Sequence, residues 1–479
     1  MKSGKTNGLL LFLSLFTAAG CATEITQLRK STLNALTPVQ KLGQQLFFDK
    51  SLSSPEGQAC ASCHDPNTAF TDTLLSTPVS DGIVPGRTGT RNAPTAMYMA
   101  FSPAFHLETT DGESLYIGGQ FLDGRAATLS EQAKGPFLNP DEMNNQDEAE
   151  VVGKLRTAGY ADLFIQVYGS NALSDVKQAY QNMADAIAEF EKTALFSPFS
   201  SKYDYYLADE VELTDQEKWG LSLFNDAKKG NCAACHPSTS ETATPPLFTD
   251  FSYDNLGSSS NPSILSKKGA DFVDFGLGKA LNDPKENGKF KVPTLRNIAK
   301  TAPYTHNGVF SNLRDVVEFY STRDVDAKWG KPEVAENINK DELGDLKLTP
   351  DEIDAIVAFL QTLTDGYEAN GAINHLNNSG LITLPLVEVE GASFGTAVMS
   401  VKLKQDSKNP NQFRLLHAET VKTTAKTNPG GIPHYSFDTN YLEIPTIKVD
   451  NNPDYIAQLK RIITEKEIAF EIVYAKPVQ

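Results

Sequence analysis

The sequence is poor in cysteine, tryptophan and basic residues. Its 479 residues include five cysteines and two tryptophans, and Asp plus Glu outnumber Lys plus Arg by 60 to 43. The formal net charge of −17 argues against nucleic-acid binding, because little positive charge is present to neutralise phosphates. The same charge is compatible with electrostatic attraction of a basic redox protein. The 40% hydrophobic content is that of an ordinary globular protein, and the length suits two to four domains.

The apolar run Leu9–Phe16 is too short to span a bilayer. It follows two lysines and precedes small residues that end in Gly20 and Cys21, which is typical of a secretion signal over residues 1–21. This ending resembles a bacterial lipobox and predicts a lipid on Cys21, with residues 22–36 as a tether to the membrane. An ordinary signal peptide with an incidental cysteine is the alternative. Either pattern predicts export, and the lipobox predicts anchoring on the periplasmic side of the outer membrane.

The other four cysteines belong to two pentads, Cys60-Ala-Ser-Cys63-His64 and Cys232-Ala-Ala-Cys235-His236. Cys-x-x-Cys-His is the attachment pattern of c-type haem: both thiols bond to the porphyrin, and the histidine binds its iron. A zinc site is the alternative, but zinc ribbons separate their cysteine pairs by about 15–20 residues. A zinc site would also not explain why a histidine follows each cysteine pair. The pentads therefore predict two covalent haems and leave no cysteines for disulfides.

Two predicted helices share one pattern, and each leads towards a pentad. Thr37 and Pro38 supply an N-cap and a first-turn proline, which predict a helix over 38–48. Thr214 and Glu217 form a capping box that predicts the start of the second helix. Both helices contain Gly-x-x-Leu-Phe, at 43–47 and 220–224. This internal repeat predicts two haem domains of one kind that face each other.

A third helix is predicted from Thr349 and Pro350 to about Leu363, by the same start signal and by apolar residues at helical spacing. It is expected to close the second haem domain. The predicted fold class is mainly α, with two cytochrome c-like haem domains packed together. The domain bounds are 37–205 and 206–365.

Residues 366–479 are rich in Val, Ile and Thr, with Asn and Gly between the apolar runs. They contain a second internal repeat, in which the segment at 384–389 matches that at 444–449, and Phe413-x-Leu415 matches Phe470-x-Ile472. These features predict a small all-β domain, a sandwich of two similar halves.

Several stretches stand in order along residues 37–365: Cys60 to Pro66, Arg91-Asn-Ala-Pro-Thr95, Phe121-Leu-Asp-Gly-Arg125, Asn139-Pro-Asp-Glu-Met143 and Phe290-Lys-Val-Pro-Thr-Leu-Arg-Asn297. Together they resemble the bacterial dihaem cytochrome c peroxidase family and, within it, the MauG-like members. The resemblance covers both predicted haem domains and leaves out the C-terminal β region. It implies an oxidoreductase that acts on hydrogen peroxide.

The resemblance also assigns roles at the first haem. Peroxide would react at the haem held by His64, with Glu142 as the acid/base carboxylate and with Gln132 and Pro136 beside it. Peroxide chemistry needs a group that accepts a proton and then assists loss of water. A carboxyl group in a dry pocket has a raised pKa, which suits that task.

At the second haem, the family places a ligand opposite His236, fourteen residues after the histidine of Tyr-x-His-x-Gly. That residue is Met in electron-transferring peroxidases and Tyr in MauG-like proteins, and here it is Tyr320. A phenolate ligand favours ferric and higher iron states. The family also holds calcium between the haems, and the matching residues are Asn92, Thr301 and Pro303. Oxygen ligands of this kind suit a hard cation.

Two departures from the family are visible. The loop 81–90 lacks the histidine that seals the first haem in ordinary dihaem peroxidases, so this haem is expected to be open without prior reduction. His106 is a candidate substitute ligand, although a surface role is more common for such a histidine. Leu122 replaces the tryptophan that relays charge between the haems, and Tyr116 is the nearby residue that could be oxidised instead.

Three functions follow as hypotheses. The first is a dihaem peroxidase that takes electrons from a small redox protein. The second is MauG-like oxidation of a residue on a partner protein, which Tyr320 favours and Leu122 disfavours. The third is a lipid-anchored electron-transfer module, which Glu142 disfavours because a pure carrier needs no acid/base group. Dihaem peroxidases commonly form homodimers, so a homodimer is a further possibility.

Overall fold

The computed structural model describes residues 36–72, 77–110, 113–208, 211–240, 242, 244–367, 375–376, 380–391, 395–422, 433–437, 439–449, 455–463 and 468–477. The predicted signal, Cys21 and almost all of the predicted tether lie outside these residues. No helix in the described part of the chain is long and apolar enough to cross a membrane.

The first haem region is built on helices joined by long irregular segments and one hairpin. Its elements are α1 (Pro38–Phe48), α2 (Cys60–Cys63), β1 (His106–Thr110), β2 (Glu113–Ile117), α3 (Leu129–Leu138), α4 (Glu148–Thr157), α5 (Ala161–Tyr168), α6 (Val176–Glu191) and α7 (Lys202–Leu207). The predicted N-cap at Thr37 is confirmed: its hydroxyl accepts a hydrogen bond from the Gln40 amide at 3.3 Å, and the Gln40 side chain completes a capping box.

The second haem region repeats this plan. Its elements are α8 (Asp215–Asn225), β3 (Tyr253–Asp254), α9 (Pro262–Lys268), α10 (Leu277–Leu281), β4 (Phe290–Lys291), α11 (Leu313–Thr322) and α12 (Pro350–Gln361). The predicted capping boxes at Thr214 and Thr349 are confirmed. The predicted third helix ends at Gln361, close to the expected position.

The shared Gly-x-x-Leu-Phe motif marks the same helix crossing in both regions. A Cβ atom on Gly43 would lie 1.9 Å from the carbonyl oxygen of Ala186 in α6. A Cβ atom on Gly220 would lie 1.9 Å from the carbonyl oxygen of Ala355 in α12. Only glycine permits such an approach of two helix backbones. The sequence repeat is therefore a structural repeat, with α1 on α6 and α8 on α12.

The C-terminal strands are β5 (His375–Leu376), β6 (Leu381–Gly391), β7 (Gly395–Gln405), β8 (Gln412–Lys422), β9 (His434–Ser436), β10 (Tyr441–Val449), β11 (Tyr455–Ile463) and β12 (Ile468–Pro477). β6–β7–β8 and β10–β11–β12 are two antiparallel meanders, and β8 pairs with β12 so that Phe413 faces Phe470. The short strands β5 and β9 bridge β6 and β10 at the other side. The pairing thus runs round a barrel-like sheet.

Two parts of the predicted fold class need correction. Helices cover a minority of the chain, because irregular loops connect the haem-region helices and the C-terminal region is β, so a mainly α fold is not confirmed. The C-terminal strands form one barrel-like sheet instead of a sandwich. The prediction of two similar halves agrees with the two meanders. The register of β6 against β7 shifts between Leu384 and Val387, and that of β10 shifts equivalently between Ile444 and Ile447.

Candidate haem-binding active site

One cavity of about 420 Å³ is lined by residues of both haem regions. Both pentads contribute to its wall, as do the predicted site residues Asn92, Gln132, Pro136, Glu142, Thr301, Pro303 and Tyr320. Segments that are far apart in the sequence therefore meet at a single site. The expectation that the two regions face each other agrees with this arrangement.

The histidine of each pentad is held in the same way. Nδ1 of His64 lies 3.0 Å from the carbonyl oxygen of Phe70, and Nδ1 of His236 lies 2.7 Å from that of Phe248. Donation from Nδ1 fixes the ring and leaves Nε2 as the nitrogen for a metal. Burial lowers the pKa of His236 to about 4, so its imidazole stays neutral, which is the form that binds iron.

The pentad thiols fit covalent haem attachment. All four cysteines are free, and burial raises the pKa of Cys63 and of Cys232 to about 12. Within the described residues, a single group of His, Cys, Asp or Glu side chains clusters closely enough for a metal, and it is Cys235, Asp254 and Glu342. The pentads do not gather into one four-cysteine zinc site. Two separate Cys-x-x-Cys-His groups on one large cavity match two haems.

Glu142 lies directly after α3, and Gln132 and Pro136 lie within that helix. Nδ2 of Asn139 donates a hydrogen bond to Oε1 of Glu142 at 2.8 Å and orients the carboxyl group. Burial raises the pKa of Glu142, against the opposing effects of the positive charge on Arg125 and of the Asn139 bond. The raised pKa agrees with the expectation for a proton-transferring carboxyl group.

The loop without histidine packs on the backbone that carries Glu142. The amide of Ile83 donates to the carbonyl oxygen of Glu142 at 2.9 Å, and a Cβ atom on Gly82 would lie 2.4 Å from the carbonyl oxygen of Asp141. Lys268 of α9 forms a 2.8 Å ion pair with Asp141, which ties the segment carrying Glu142 to the second haem region. The contacts hold the loop beside the cavity.

His106 does not line the cavity. Its side chain is 47% exposed at the start of β1, where Nδ1 lies 2.8 Å from the carbonyl oxygen of Ala104 and Nε2 lies 3.6 Å from Glu108. This position supports a surface role over that of a substitute haem ligand. Leu122, in contrast, does line the cavity.

Tyr320 lies on α11, with its side chain at the cavity wall. Burial raises the pKa of its phenol far above the ordinary value, with smaller contributions from Cys235 and Cys232. Because both cysteines contribute to the raised pKa of Tyr320, the phenol lies beside the second pentad. This location is compatible with the predicted ligand opposite His236.

Two of the three predicted calcium residues, Asn92 and Pro303, are in contact. The side-chain amide of Asn92 contacts the carbonyl oxygen of Pro303, and the backbone amide of Asn92 donates to the carbonyl of His306 at 2.8 Å. Thr301 also lines the cavity. The amide nitrogen of Asn92, and not its oxygen, faces Pro303, so this contact is a hydrogen bond, and calcium binding stays a prediction.

Several buried charged residues on the cavity wall were given no role by the sequence. Lys291 is 4% exposed and donates through Nζ to the carbonyl of Gly119, and burial lowers its pKa to about 7. Glu191, at the end of α6, is 7% exposed, and burial raises its pKa to about 8. The residues next to Lys291 and Glu191 in the sequence give no sign that these side chains are buried. Only the tertiary structure reveals it.

An ion-pair network joins the two haem regions beside the cavity. Arg91 makes a two-pronged contact with Asp274, at 2.6 and 2.8 Å, and lies 2.7 Å from Asp123. The carboxylate of Glu333 accepts a hydrogen bond from the backbone amide of Asp274 at 3.0 Å. It also lies 2.9 Å from Nε2 of His306. Bidentate Arg–carboxylate geometry fixes both distance and orientation. This network sets how the two regions meet.

Comparison with known proteins agrees with this site. A family model described as di-haem cytochrome c peroxidase matches residues 38–212, and one described as cytochrome c matches residues 218–364. The chain is 43% identical to the methylamine utilization protein MauG of Paracoccus denitrificans over 345 residues, which covers 68% of this chain and 88% of that protein. This chain belongs to the dihaem cytochrome c peroxidase and MauG family.

Both branches of the family are represented among its relatives. The chain is 30% identical to the cytochrome c551 peroxidase of Pseudomonas aeruginosa over 344 residues, covering 71% of this chain and 82% of that protein. The crystal structure of the diheme peroxidase BthA from Burkholderia thailandensis matches with a TM-score of 0.63 at 34% identity, covering 70% of this chain and 89% of that one. The protein is therefore an oxidoreductase of the cytochrome c peroxidase type, and two haem c groups are expected from its family. Residues 366–479 lie outside both family models.

Proposed function

We propose that this chain is a dihaem c-type peroxidase in which hydrogen peroxide reacts at the haem held by His64. The haem held by His236 and Tyr320 relays or stores oxidising equivalents. The observation that carries the proposal is the single cavity that brings both pentads together with Glu142, Gln132 and Pro136. When bound, the haems supply the redox chemistry, and the protein supplies proton transfer and orientation.

Glu142 performs the proton transfer in this proposal. Its carboxylate would accept a proton from one oxygen of the peroxide and return it to the other, which leaves as water. Asn139 holds Oε1 in place for both steps. Gln132 offers an amide that orients peroxide through a hydrogen bond, and Pro136 narrows the pocket above it. A carrier of electrons alone needs none of these groups, which argues against the electron-transfer module.

Tyr320 determines the character of the second haem site. As a phenolate, it stabilises ferric and higher iron states, in contrast to methionine. Its proton leaves on metal binding, since a bound cation reverses the effect of burial on the pKa. Asn92, Thr301 and Pro303 would be the residues to hold a calcium ion, through amide and carbonyl oxygens that suit a hard cation.

MauG-like oxidation of a residue on a partner protein is the second candidate. It is favoured by Tyr320 at the cavity and by the loop 81–90, which carries no histidine to seal the first haem. The 43% identity to a MauG protein also supports it. Leu122 disfavours it, because leucine cannot carry charge between the haems. A partner protein with a newly oxidised side chain after peroxide treatment would distinguish it from a peroxidase fed by a small redox protein.

We also propose that the mature chain begins at a lipidated Cys21 on the periplasmic side of the outer membrane. The residue pattern before Cys21 and the periplasmic character of the family support this. Cys21→Ser is expected to release the protein from the membrane fraction. A variant that stays membrane-bound would contradict the anchor. A homodimer is part of the same proposal, and sedimentation of the haem-loaded protein tests it.

The test of the main proposal compares Glu142→Gln with Glu131→Gln in the haem-loaded protein. Glu131 is an exposed acid on α3 whose carboxylate binds the amide of Ala127 outside the cavity. Loss of a general acid/base group lowers rates by about 10²–10⁴-fold. We expect that loss in peroxide turnover for Glu142→Gln only. Equal rates for the two variants would contradict the proposed role.

A further inference from the structure

Three aromatic rings form a continuous path from the segment between the haem sites to the β1–β2 hairpin. The ring of Tyr116 stacks on that of Phe105 with centroids 5.4 Å apart and planes 4° from parallel. Phe105 meets Tyr253 edge to face, with centroids 5.9 Å apart. Both separations lie in the range of direct aromatic contact.

The inner end of this path lies against the segment that carries Leu122. A Cβ atom on Gly124 would lie 2.4 Å from the hydroxyl oxygen of Tyr253 and 2.7 Å from the ring of Phe105, so both rings pack directly on this backbone. Tyr253 pairs with Lys291 across β3 and β4, and the amide of Lys291 donates to the carbonyl of Leu122 at 2.8 Å. The path therefore begins one residue layer from the cavity wall.

The two ends of the aromatic path differ in their exposure to water. Tyr253 is 6% exposed, and its hydroxyl donates to the carbonyl of Gly118 at 2.6 Å. A carbonyl oxygen is a poor acceptor for a full proton transfer. Tyr116 is only partly buried, near the end of β2 before Gly118, so its phenolic proton can pass to solvent.

We propose that Tyr116 is an oxidisable site that delivers an electron through Phe105 and Tyr253 towards the haems after they react with hydrogen peroxide. This inference rests on the proposed function. It supplies a charge route between the protein surface and the haem sites, which is distinct from the relay between the haems that position 122 would provide.

The electrons and protons of this step balance. Hydrogen peroxide takes up two electrons and two protons and yields two waters. One electron comes from Tyr116, whose hydroxyl releases its proton to solvent and leaves a neutral tyrosyl radical. The second electron comes from the haem irons. A small redox protein then returns two electrons in turn through Tyr116, one to the tyrosyl radical and one to replace the electron taken from the haem sites, and the phenol regains a proton from water.

The experiment uses the haem-loaded full chain mixed with stoichiometric peroxide, and it records both the haem absorbance and the freeze-quench EPR spectrum. Tyr116→Phe and Tyr253→Phe are compared with Tyr168→Phe, in which the changed tyrosine contacts Phe164 on α5, away from this path. We expect a tyrosyl signal in the parent protein and in Tyr168→Phe. We expect its loss in Tyr116→Phe and a slower appearance in Tyr253→Phe.

A second readout is independent of enzyme turnover. A spin trap followed by peptide mass spectrometry is expected to place the adduct on Tyr116. An unchanged tyrosyl signal in Tyr116→Phe, or an adduct on Trp219 or Trp329 instead, would overturn the inference while the haem absorbance still responds to peroxide. An absorbance that does not respond to peroxide at all would overturn the proposed function, and this inference with it.

Discussion

Replacing Gly220 by alanine is expected to destabilise the second haem region. The new Cβ atom would lie 1.9 Å from the carbonyl oxygen of Ala355 and 2.9 Å from Cβ of Phe359. The first of these distances is far below any van der Waals contact, so α8 and α12 must separate by more than an ångström. Leu223 and Phe224, which are buried in α8, then lose part of their packing.

The magnitude follows from two opposing effects. Alanine is favoured over glycine inside a helix by about 1 kcal/mol, and overpacking of a core costs about 1–3 kcal/mol or more. Because the clash involves backbone that cannot rotate away, we expect the upper end of that cost and a net loss of about 2 kcal/mol. For a domain of this size, this lowers the midpoint of thermal unfolding by roughly 4–8 °C.

Gly153 provides the matched control. It lies inside α4, and a Cβ atom there would meet no atom within 4 Å. Gly153→Ala is therefore expected to gain about 0.5–1 kcal/mol, because only the helix preference acts. The assay is thermal unfolding of the haem-loaded protein followed by circular dichroism. A Gly220→Ala midpoint as high as that of Gly153→Ala would refute the proposed crossing of α8 and α12.

Three further predictions concern the site. Because burial raises the pKa of Glu142 and the proposed step needs its carboxylate, peroxide turnover is expected to fall with decreasing pH through a midpoint above that of an ordinary glutamate, and Glu142→Gln should lose this limb. Glu191 has a folded-state pKa of about 8, so the native state binds the extra proton, and stability is expected to fall as pH rises from about 4.5 to 8. In denaturant titrations, Glu191→Gln should flatten the dependence of stability on pH and stabilise the protein above pH 8 by up to about 5 kcal/mol. An unchanged dependence on pH would contradict the burial of this carboxyl group. Tyr320→Met is expected to raise the reduction potential of the second haem in a spectroelectrochemical titration, and an unaltered potential would show that Tyr320 is not a ligand.

Local signals accounted for the helix starts and the haem attachment points. Thr37, Thr214 and Thr349 each combine a side-chain cap with a partner three residues later, which depends only on neighbouring residues. The two pentads are equally local. These features could be predicted because the chemistry that produces them is contained within a few consecutive residues.

Other features depend on contacts between distant segments. The barrel-like C-terminal sheet requires β8 to pair with β12 and the short strands β5 and β9 to link β6 with β10, and strand alternation alone does not distinguish this from a sandwich. The burial of Glu191 and Lys291 at the cavity likewise depends on what packs over them. Their local sequence resembles that of any helix or strand carrying a charge.

The central claim is that the first haem site reacts with hydrogen peroxide without prior reduction, with Glu142 moving the proton. The most direct test is the optical and EPR response of the fully ferric, haem-loaded protein to stoichiometric peroxide. We expect a rapid spectral change that is lost in Glu142→Gln and retained in Glu131→Gln. A response that requires reduction of one haem first, or no response in either state, would contradict it.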